Sequence, residues 1–338
     1  MSPPPDISVC IANYNGGAYV LECLVSVYSQ QGDFHMEVIL HDDCSNDDSL
    51  ARIRREFPDI IVLNSVVNVG FCISNNRMVE ASHGRYVLLL NNDAVLRPDS
   101  LQTLLSYADV GHEDCILGLP QHTLVDGALV DRGYGTDIFL NPNPILTPGT
   151  HEVGVATGAC LWIPRDVWSS IGGFPDWFES IAEDIYLCLA GRLLGYRVIV
   201  LDAPGFDHWI GKNLGGGKVV AQRLSTTVRR RALSERNKTY VMLLCYSWPV
   251  LILVLPVHTL LLLVEALFLL ASGAGWDKIR KIYAEIPRAL WKHRKVLSAR
   301  RTYLMSRRRS TLKQLFSQTC WFPQKLRLLL RHGKPELK

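Results

Sequence analysis

The sequence predicts an α/β protein with a mostly parallel sheet, followed by a helical, membrane-associated C-terminal region. Short apolar segments alternate with amphipathic helical patterns through most of the first 200 residues, which is typical of βαβ units. Residues 241–271 are almost entirely apolar, with His258 and Glu265 as their ionisable members. Residues 272–338 contain 18 Lys/Arg against 3 Asp/Glu, whereas residues 1–271 contain 18 against 29. This asymmetry indicates a basic tail that seeks an anionic surface.

The predicted elements follow in order along the chain. Apolar runs that end in polar turns predict strands at 7–11, 36–40, 60–64 and 86–90. Helical patterns are expected at 18–30, 49–57, 75–81 and 98–108. Residues 118–150, rich in Gly, Pro and Thr, predict strands and loops of a less regular region. After it we expect a strand at 154–164, a short helix from Arg165, a helix at 183–194 closed by Gly195, and a strand at 196–201.

The apolar segment is longer than the ~20 residues that cross a bilayer. Pro249 and Pro256 should break it into shorter pieces, and basic residues flank it on both sides. Because basic flanks prefer the cytoplasmic side, this pattern favours a re-entrant hairpin or monotopic insertion. A single crossing, and a buried core helix or oligomer interface, stay open. The predicted regions are 1–238, a membrane-inserted 239–272 and a basic amphipathic helical tail at 273–338.

The remaining composition indicates a cytoplasmic catalytic part. Nine cysteines are scattered singly without metal-binding spacing, as expected for reduced thiols. The first residues lack the basic and apolar regions of a signal peptide. The tail, with Arg300-Arg301, Arg307–Arg309 and a leucine-rich 326–330, fits helices on anionic lipid or an ordinary solvated basic face. No nucleic-acid motif accompanies it, so we expect no nucleic-acid partner.

Acidic and amide side chains stand where predicted strands end. Asp42-Asp43 follow the second strand, Asn91-Asn92-Asp93 follow the fourth, and Glu183-Asp184 begin a later helix. Open α/β sheets bind ligands beyond the carboxyl ends of their strands. The pattern therefore predicts a nucleoside diphosphate held through a divalent metal, with a separate base. Each cluster has a local alternative as a turn or as helix-capping residues.

These motifs, in this order, resemble the family 2 glycosyltransferases over about residues 6–210. The similar segments are Ser8–Asn15, Ile39–Ser49, Asn68-Val69-Gly70-Phe71 with Asn75-Asn76, Leu90–Ala94, and Gly172-Gly173-Phe174 followed by Glu183-Asp184. The sequence looks most like bacterial rhamnosyltransferase-like members, in which NND or NPD replaces the DxD motif. The resemblance implies a GT-A, Rossmann-like domain and inverting transfer of a sugar.

The resemblance also implies roles for individual residues. Nucleotide contacts are expected from Ala12, Asn13, Asn15, Asp42, Asp43, Asn68, Gly70, Asn75 and Asn92. Asp93 and His208 are the expected ligands of Mg²⁺ or Mn²⁺, and Asn91 replaces the first acid of DxD. Asp184 is the expected base beside Glu183; neighbours on a helix point ~100° apart, so one of them faces the sugar. Apart from the resemblance, the aromatic ring of one residue and the position of four arginines before the apolar segment suggest contacts with acceptor or lipid. These residues are Trp177, Arg229, Arg230, Arg231 and Arg236.

Several of these residues have structural alternatives. A lone histidine such as His208 is often structural, and Trp177 and Trp209 could be core residues instead of stacking platforms. The arginines could instead anchor to anionic headgroups. Lys212 and Gly215–Lys218 predict a loop that closes over the diphosphate, although no P-loop signature is present.

The sequence as a whole predicts a metal-dependent glycosyltransferase at the cytoplasmic face of a bacterial inner membrane. Its donor would be a dTDP- or UDP-sugar, rhamnose among the candidates, and its acceptor a lipid-linked or cell-envelope glycan. No Q-x-x-R-W motif of processive synthases is present, so single-sugar addition is expected. The alternatives are a membrane-anchored, non-catalytic nucleotide-sugar-binding scaffold and a nucleotidyltransferase; homo-oligomerisation is left open.

Overall fold

The computed structural model describes residues 3–209, 218–220, 223–333 and 336–337. The chain divides into two compact units. Unit 1 comprises Met1–Tyr134, Pro144–Glu179 and Gly195–Trp209, and unit 2 comprises Gly135–Asn143, Ser180–Leu194 and Ile210–Lys338. Residues 180–194 thus group with the C-terminal helices, although they lie far from them in sequence.

The strands of the described residues are mostly short. They are β1 Ile7–Asn13, β2 Met36–Asp42, β3 Ile61–Asn64, β4 Tyr86–Asn91, β5 Ala94–Leu96, β6 Ile116–Gly118, β7 Gln121–Thr123, β8 Leu129–Asp131, β9 Tyr134–Asp137, β10 Pro142–Pro144, β11 His151–Glu152, β12 Cys160–Pro164, β13 Val198–Val200, β14 Phe206–His208, β15 Lys218–Val220, β16 Arg223–Thr226, β17 Thr319–Cys320 and β18 Glu336–Leu337.

The helices are longest in the C-terminal part of the chain. They are α1 Tyr19–Tyr28, α2 Ser49–Glu56, α3 Phe71–Glu80, α4 Ser100–Asp109, α5 Arg165–Ile171, α6 Glu183–Leu193, α7 Val228–Cys245, α8 Trp248–Ala271, α9 Trp276–Ile279, α10 Glu285–Ser306, α11 Leu312–Leu315 and α12 Gln324–His332. A 3₁₀ turn at Asp176–Phe178 and a π-helical turn at Arg280–Ala284 complete them.

An eight-stranded sheet organises unit 1, in the order β11-β13-β6-β12-β4-β1-β2-β3. Strands β3, β2, β1 and β4 run parallel, as do β13 and β6, whereas β12 and β11 are antiparallel to their neighbours. The predicted mostly parallel sheet is confirmed. Its parallel half carries the alternating strands and helices of residues 7–91.

The centre of this sheet is a packed apolar layer. Leu88, Leu89 and Leu90 are almost fully buried, which explains the uninterrupted apolar run in the sequence. One face of α1 packs its apolar side chains onto the sheet, and the rings of Tyr86 and Trp162 stack at 4.8 Å on neighbouring strands. The apolar core ends where β4 ends, which leaves polar residues at the carboxyl edge of the sheet.

Two predicted elements differ in extent from the structure. The strand expected at 154–164 is limited to β12, because Thr157–Cys160 forms a turn in which the Cys160 N–H donates to the Thr157 carbonyl. The helix expected from residue 75 begins at Phe71, immediately after Gly70 with its positive φ of 89°.

The apolar segment 241–271 also differs from expectation. It contains the end of α7, a break at Tyr246–Ser247 and the single helix α8. Pro249 lies in the first turn of α8, where its missing N–H costs nothing, and α8 continues through Pro256. Buried residues on both sides of Pro256, Leu251 and Leu262, keep both halves of α8 packed on unit 2. By length and composition α8 could cross a membrane.

Candidate functional site

Residues of the first, second and fourth motifs lie at neighbouring strand ends. Asn13, Asp42 and Asn91 are the last residues of β1, β2 and β4. In the sheet register Asn13 lies beside Asp42, and Ala12 lies beside Asn91. The carboxyl edge of unit 1 therefore gathers side chains that are far apart in sequence.

Asn13 is the centre of this arrangement and is 1% exposed. Its Nδ2 donates to Asp42 Oδ1 at 3.0 Å, and its Oδ1 accepts from Asn92 Nδ2 at 3.0 Å. A Cβ at Gly16 would lie 2.2 Å from Asn13 Oδ1, so the loop after β1 requires glycine there. Asn13, Asp42 and Asn92 thus form a buried frame that fixes three loops.

The Asp43 carboxylate ties the second motif to the third. Its Oδ1 accepts from the Val69 N–H at 2.6 Å, and its Oδ2 accepts from the Gly70 N–H at 2.9 Å. The Asn68 amide reaches the Asp43 carbonyl at 3.4 Å. Because each carboxylate oxygen has a second lone pair, Asp43 keeps acceptor capacity for a ligand.

The other predicted nucleotide-binding residues, Asn15, Asn75 and Ala12, differ in their exposure and in their partners. Asn15 is exposed, and its Oδ1 accepts from the Asn46 N–H at 2.9 Å, which joins the loops after β1 and β2. Asn75 is buried in α3, and its amide donates to the Phe71 carbonyl of the same helix at 2.8 Å. Ala12 is half-buried at the strand edge. Asn75 is therefore engaged by its own helix.

Asp93 and His208 meet because of a second sheet, with strand order β5-β14-β7-β8. Antiparallel pairing sets His208 opposite Ala94, and the Trp209 N–H donates to the Asp93 carbonyl at 3.1 Å. His208 Nε2 lies 3.0 Å from Asp93 Oδ1. The two predicted metal ligands, 115 residues apart in sequence, are thus adjacent in unit 1.

Two amides surround this pair. Asn91 Nδ2 lies 3.4 Å from His208 Nε2, and Gln121 Nε2 lies 3.1 Å from His208 Nδ1. Gln121 is buried and was not among the predicted site residues. Its place follows from the parallel pairing of β7 with β14, which local sequence patterns do not reveal.

The pair fits a metal ion that takes most of its ligands from a substrate. Among the described residues, no group of three or more His, Cys, Asp or Glu side chains is arranged to hold an ion. One carboxylate and one imidazole suit Mg²⁺ or Mn²⁺, because Mg²⁺ usually keeps several waters and binds phosphate oxygens, while imidazole is tolerated better by Mn²⁺. Asn91 supplies no charge where a DxD motif would have an acid.

Glu183 and Asp184 open α6 in unit 2 and occupy different environments. Glu183 is 9% exposed, and its Oε2 has no hydrogen-bond partner among the described residues. Burial, reinforced by the neighbouring charge of Asp184, raises the pKa of Glu183 to about 8. Asp184 is half-buried. Of the two carboxyl groups, Asp184 is the more accessible to a ligand.

The segment before α6 has an unusual backbone. Ile181 and Ala182 both adopt positive φ, at 69° and 66°, which is strained for residues with side chains. Asn237 of α7 is fully buried and donates to the Ser180 and Ile181 carbonyls at 2.9 and 2.8 Å. Asn237 thus holds the turn that presents Glu183 and Asp184, a role that the sequence alone did not indicate.

The predicted acceptor- or lipid-binding arginines are not equivalent. Arg231 is ion-paired with Glu265 of α8, and Arg236 donates to Asn237 Oδ1 at 3.0 Å. Arg229 is exposed, and the charge of Arg230 acts on Glu183. An arginine in an ion pair is less free to bind a second anion, so Arg229 is the better candidate for a ligand contact.

Trp177 and Trp209, the two predicted stacking residues, each lie beside another aromatic ring. Trp177 is half-buried with its ring 6.3 Å from Phe178, and the Trp209 ring meets Tyr19 edge-on at 5.2 Å. Of the loop predicted to close over a diphosphate, Lys212 and Gly215–Gly217 lie outside the described residues, and Lys218 begins β15.

Comparison with known proteins gives a consistent family. Residues 8–169 match the family model described as "Glycosyl transferase family 2". An uncharacterized protein of Mycobacterium tuberculosis is 35% identical over 208 residues, which are 56% of this chain and 63% of that protein. The O-antigen biosynthesis protein RfbC of Myxococcus xanthus is 28% identical over 211 residues, 58% of this chain and 16% of that protein.

A solved structure supports the same fold. The structure of GalNAc-T7 with UDP, GalNAc and Mn²⁺ aligns with a TM-score of 0.59 at 13% identity, covering 72% of this chain and 48% of that one. The chain spans less than two thirds of the length of each of these relatives. The GT-A fold expected from the motifs is confirmed for the catalytic region.

Proposed function

Because the chain belongs to the family 2 glycosyltransferases, we propose that it is an inverting, metal-dependent glycosyltransferase. Its donor is a dTDP- or UDP-sugar, with rhamnose as the first sugar to test, and its acceptor is a lipid-linked or cell-envelope glycan. The observation that carries the proposal is the Asp93–His208 pair, 3.0 Å apart and next to the buried frame of Asn13, Asp42 and Asn92.

The nucleotide end of the donor is assigned to the carboxyl edge of the parallel strands. Asp43 and the loop it fixes, with Asn68 and Gly70, supply acceptors and backbone groups for base and ribose. The frame around Asn13 holds these loops before a ligand binds, which lowers the entropic cost of ordering them on binding. A Mg²⁺ or Mn²⁺ ion held by Asp93 and His208 would neutralise charge on the diphosphate leaving group.

Asp184 is assigned the role of the base. The acceptor hydroxyl oxygen attacks the anomeric carbon, the bond from that carbon to the diphosphate oxygen breaks, and the hydroxyl proton passes to the Asp184 carboxylate. The nucleoside diphosphate leaves with the bonding electron pair. Glu183, whose pKa of about 8 keeps it protonated near neutral pH, neither competes for the proton nor repels the diphosphate.

A glycan acceptor at the inner membrane agrees with two features. The similar protein RfbC of Myxococcus xanthus is named an O-antigen biosynthesis protein, and this name indicates a role in cell-envelope polysaccharide synthesis. Helix α8 exposes most of its apolar surface, and the tail after it is strongly basic. Both features fit an enzyme that works at the cytoplasmic face of a bacterial inner membrane.

The test is release of nucleoside diphosphate from a panel of dTDP-, UDP- and GDP-sugars by the purified full chain. It is run with Mn²⁺, with Mg²⁺ and with chelator, in detergent with membrane lipid extract. Asp93→Ala is compared with Asp59→Ala, which removes an exposed carboxylate of unit 1 from the turn before β3, at the amino end of that strand.

We expect metal-dependent turnover of one donor, lost at least a hundredfold in Asp93→Ala and unchanged in Asp59→Ala. Tight nucleotide binding without turnover of any donor would favour the scaffold alternative. Release of pyrophosphate from a nucleoside triphosphate and a sugar phosphate would favour the nucleotidyltransferase.

A further inference from the structure

Helix α8 is fixed to unit 2 along one stripe. Its buried residues Leu251, His258, Leu262 and Leu269 are spaced by seven, four and seven positions, which places them on one face of an α-helix. They extend from the first turn to the last. Both ends of α8 therefore pack on the protein, and no part of α8 projects away from unit 2.

Polar contacts along this stripe hold α8 to its neighbours. His258 Nε2 lies 3.0 Å from Thr239 Oγ1 of α7. Glu265, on the same face, is ion-paired with Arg231 of α7 and with Lys325 of α12 at 2.9 Å. The ionisable residues of the apolar segment are thus all satisfied within unit 2, and they face the protein.

The opposite face of α8 is apolar and exposed. Leu253, Leu260 and Leu267 recur at seven-residue intervals on that face and are 72%, 59% and 65% exposed. No charged side chain interrupts residues 248–264. An exposed apolar strip of this length, ~36 Å for 24 residues, marks an interaction surface.

Helix α9, which packs against α8, and helix α10, which packs against α7, add aromatic and basic side chains. Trp276 is exposed and begins α9, the helix that packs against α8. In α10, Trp291 is 71% exposed, with the Arg294 guanidinium 4.1 Å from the centre of its ring. Exposed tryptophan beside arginine and lysine is typical of the boundary between lipid headgroups and acyl chains.

From these contacts we propose that α8 lies in the plane of an anionic membrane surface, with its Leu253–Leu260–Leu267 face in the acyl-chain boundary, and does not cross the bilayer. A crossing α8 would draw α7, with Arg231, Glu235 and Lys238, into the hydrocarbon, because His258 and Glu265 of α8 contact Thr239 and Arg231 of α7. The 18 Lys/Arg of residues 272–338, against 3 Asp/Glu, match anionic headgroups. The inference deepens the proposed function, because a lipid-linked acceptor is presented at that surface.

The binding test uses the full chain without donor, so its result does not depend on transferase activity. Sedimentation with vesicles of phosphatidylglycerol and phosphatidylcholine is compared with vesicles of phosphatidylcholine alone. The variant is the triple change Leu253→Asp, Leu260→Asp and Leu267→Asp. Val110→Asp, on an exposed apolar residue of unit 1, is the matched control.

We expect the wild type and Val110→Asp to bind anionic vesicles at least tenfold more tightly than neutral ones, and the triple variant to bind at least tenfold more weakly than wild type. Equal binding by the triple variant, with its fold intact by circular dichroism, would overturn the proposal. A lipid-free dimer that the triple variant converts to monomer, without vesicle binding, would assign the face to a second copy and overturn it as well.

The orientation test uses inverted inner-membrane vesicles from a bacterium that expresses the full chain. Cys44, exposed in unit 1, reports the N-terminal side, and Asp277→Cys reports the side beyond α8, in a Cys320→Ser background. An impermeant maleimide should label both positions from outside if α8 lies in the plane. Labelling of Cys44 with protection of position 277 until detergent is added would show a crossing and reject the proposal.

Discussion

The pair of Asp93 and His208 depends on Gln121, a buried residue that was not among the predicted site residues. Gln121 Nε2 faces His208 Nδ1 at 3.1 Å; when the amide donates to Nδ1 of a neutral ring, the ring proton is on Nε2, which faces Asp93. If the amide turns over, its oxygen accepts from Nδ1–H, and Nε2 presents a lone pair. An amide at this position therefore serves both the free site and a metal-bound one.

Replacing Gln121 should weaken metal binding. We expect Gln121→Met to lower the affinity for Mn²⁺, measured with UDP by electron paramagnetic resonance, by about 10- to 100-fold, as for other residues that orient a metal-binding histidine. Gln121→Glu keeps an acceptor for Nδ1–H and should retain the affinity. A wild-type Mn²⁺ affinity in Gln121→Met would show that Gln121 does not position His208.

Glu183 should make the free energy of unfolding fall as pH rises. Its pKa is raised from about 4.5 to about 8 in the folded chain, so the folded state binds the proton more tightly than the unfolded state. This stabilisation is complete below pH 4.5, declines as the pH rises from 4.5 to 8, and is lost above about pH 8.

The neutral isostere Glu183→Gln removes this titration. The free energy of unfolding of the variant minus that of wild type should therefore be larger at pH 8 than at pH 5.5, by on the order of 3 kcal/mol. Urea unfolding of both proteins at the two pH values measures it. A difference between variant and wild type that does not change with pH would mean that Glu183 ionises normally.

At the scale of elements, α7 connects the predicted base to α8. Its Asn237 holds the strained turn before Glu183, whereas Glu235 and Lys238 form a buried cluster with Lys325 of α12. The Glu235 carboxylate lies 3.1 Å from the Lys238 ammonium and 2.8 Å from that of Lys325. Helices α7 and α12 of unit 2 are thus joined by one set of charges.

Removing one member of this cluster should be costly. Glu235→Ala leaves the buried ammonium group of Lys238 without its carboxylate partner and takes one of two carboxylates from the half-buried Lys325. We expect a loss of about 3–5 kcal/mol in the free energy of unfolding. The control Glu285→Ala breaks an exposed pair with Arg288 and should cost less than about 1 kcal/mol. Equal chemical-denaturation midpoints for the two variants would contradict the buried cluster's role.

The elements that the sequence predicted well are those with local signals. Alternation of apolar runs and helices, with polar residues after Asn13, Asp42 and Asn91, was enough to predict the parallel strands and their carboxyl edge. Gln121 and Asn237 could not be predicted, because each acts through a neighbour 87 or about 57 residues away that only tertiary pairing brings close. The prediction that Pro256 breaks the apolar segment was wrong for a related reason. Packing along α8 outweighs the helix hydrogen bond that proline removes.

Over the whole molecule, charge and apolar surface are separated along the chain. Residues 1–271 carry a net charge of −11 and hold the predicted donor site, whereas residues 272–338 carry +15. The acidic excess includes Asp43, Asp93 and Asp184, which are proposed to contact the nucleotide, the metal and the acceptor hydroxyl. The basic tail and α8 provide the surface proposed to meet lipid.

Transfer of a radiolabelled sugar from its nucleotide donor to bacterial membrane lipid extract tests the central claim most directly. Wild type, Asp184→Asn and the exposed-site control Asp59→Ala are compared in the presence of Mn²⁺. We predict a labelled lipid product with inverted anomeric configuration from wild type and Asp59→Ala, formed at least a hundredfold more slowly by Asp184→Asn. Undiminished transfer by Asp184→Asn, or a product of retained configuration, would contradict the account.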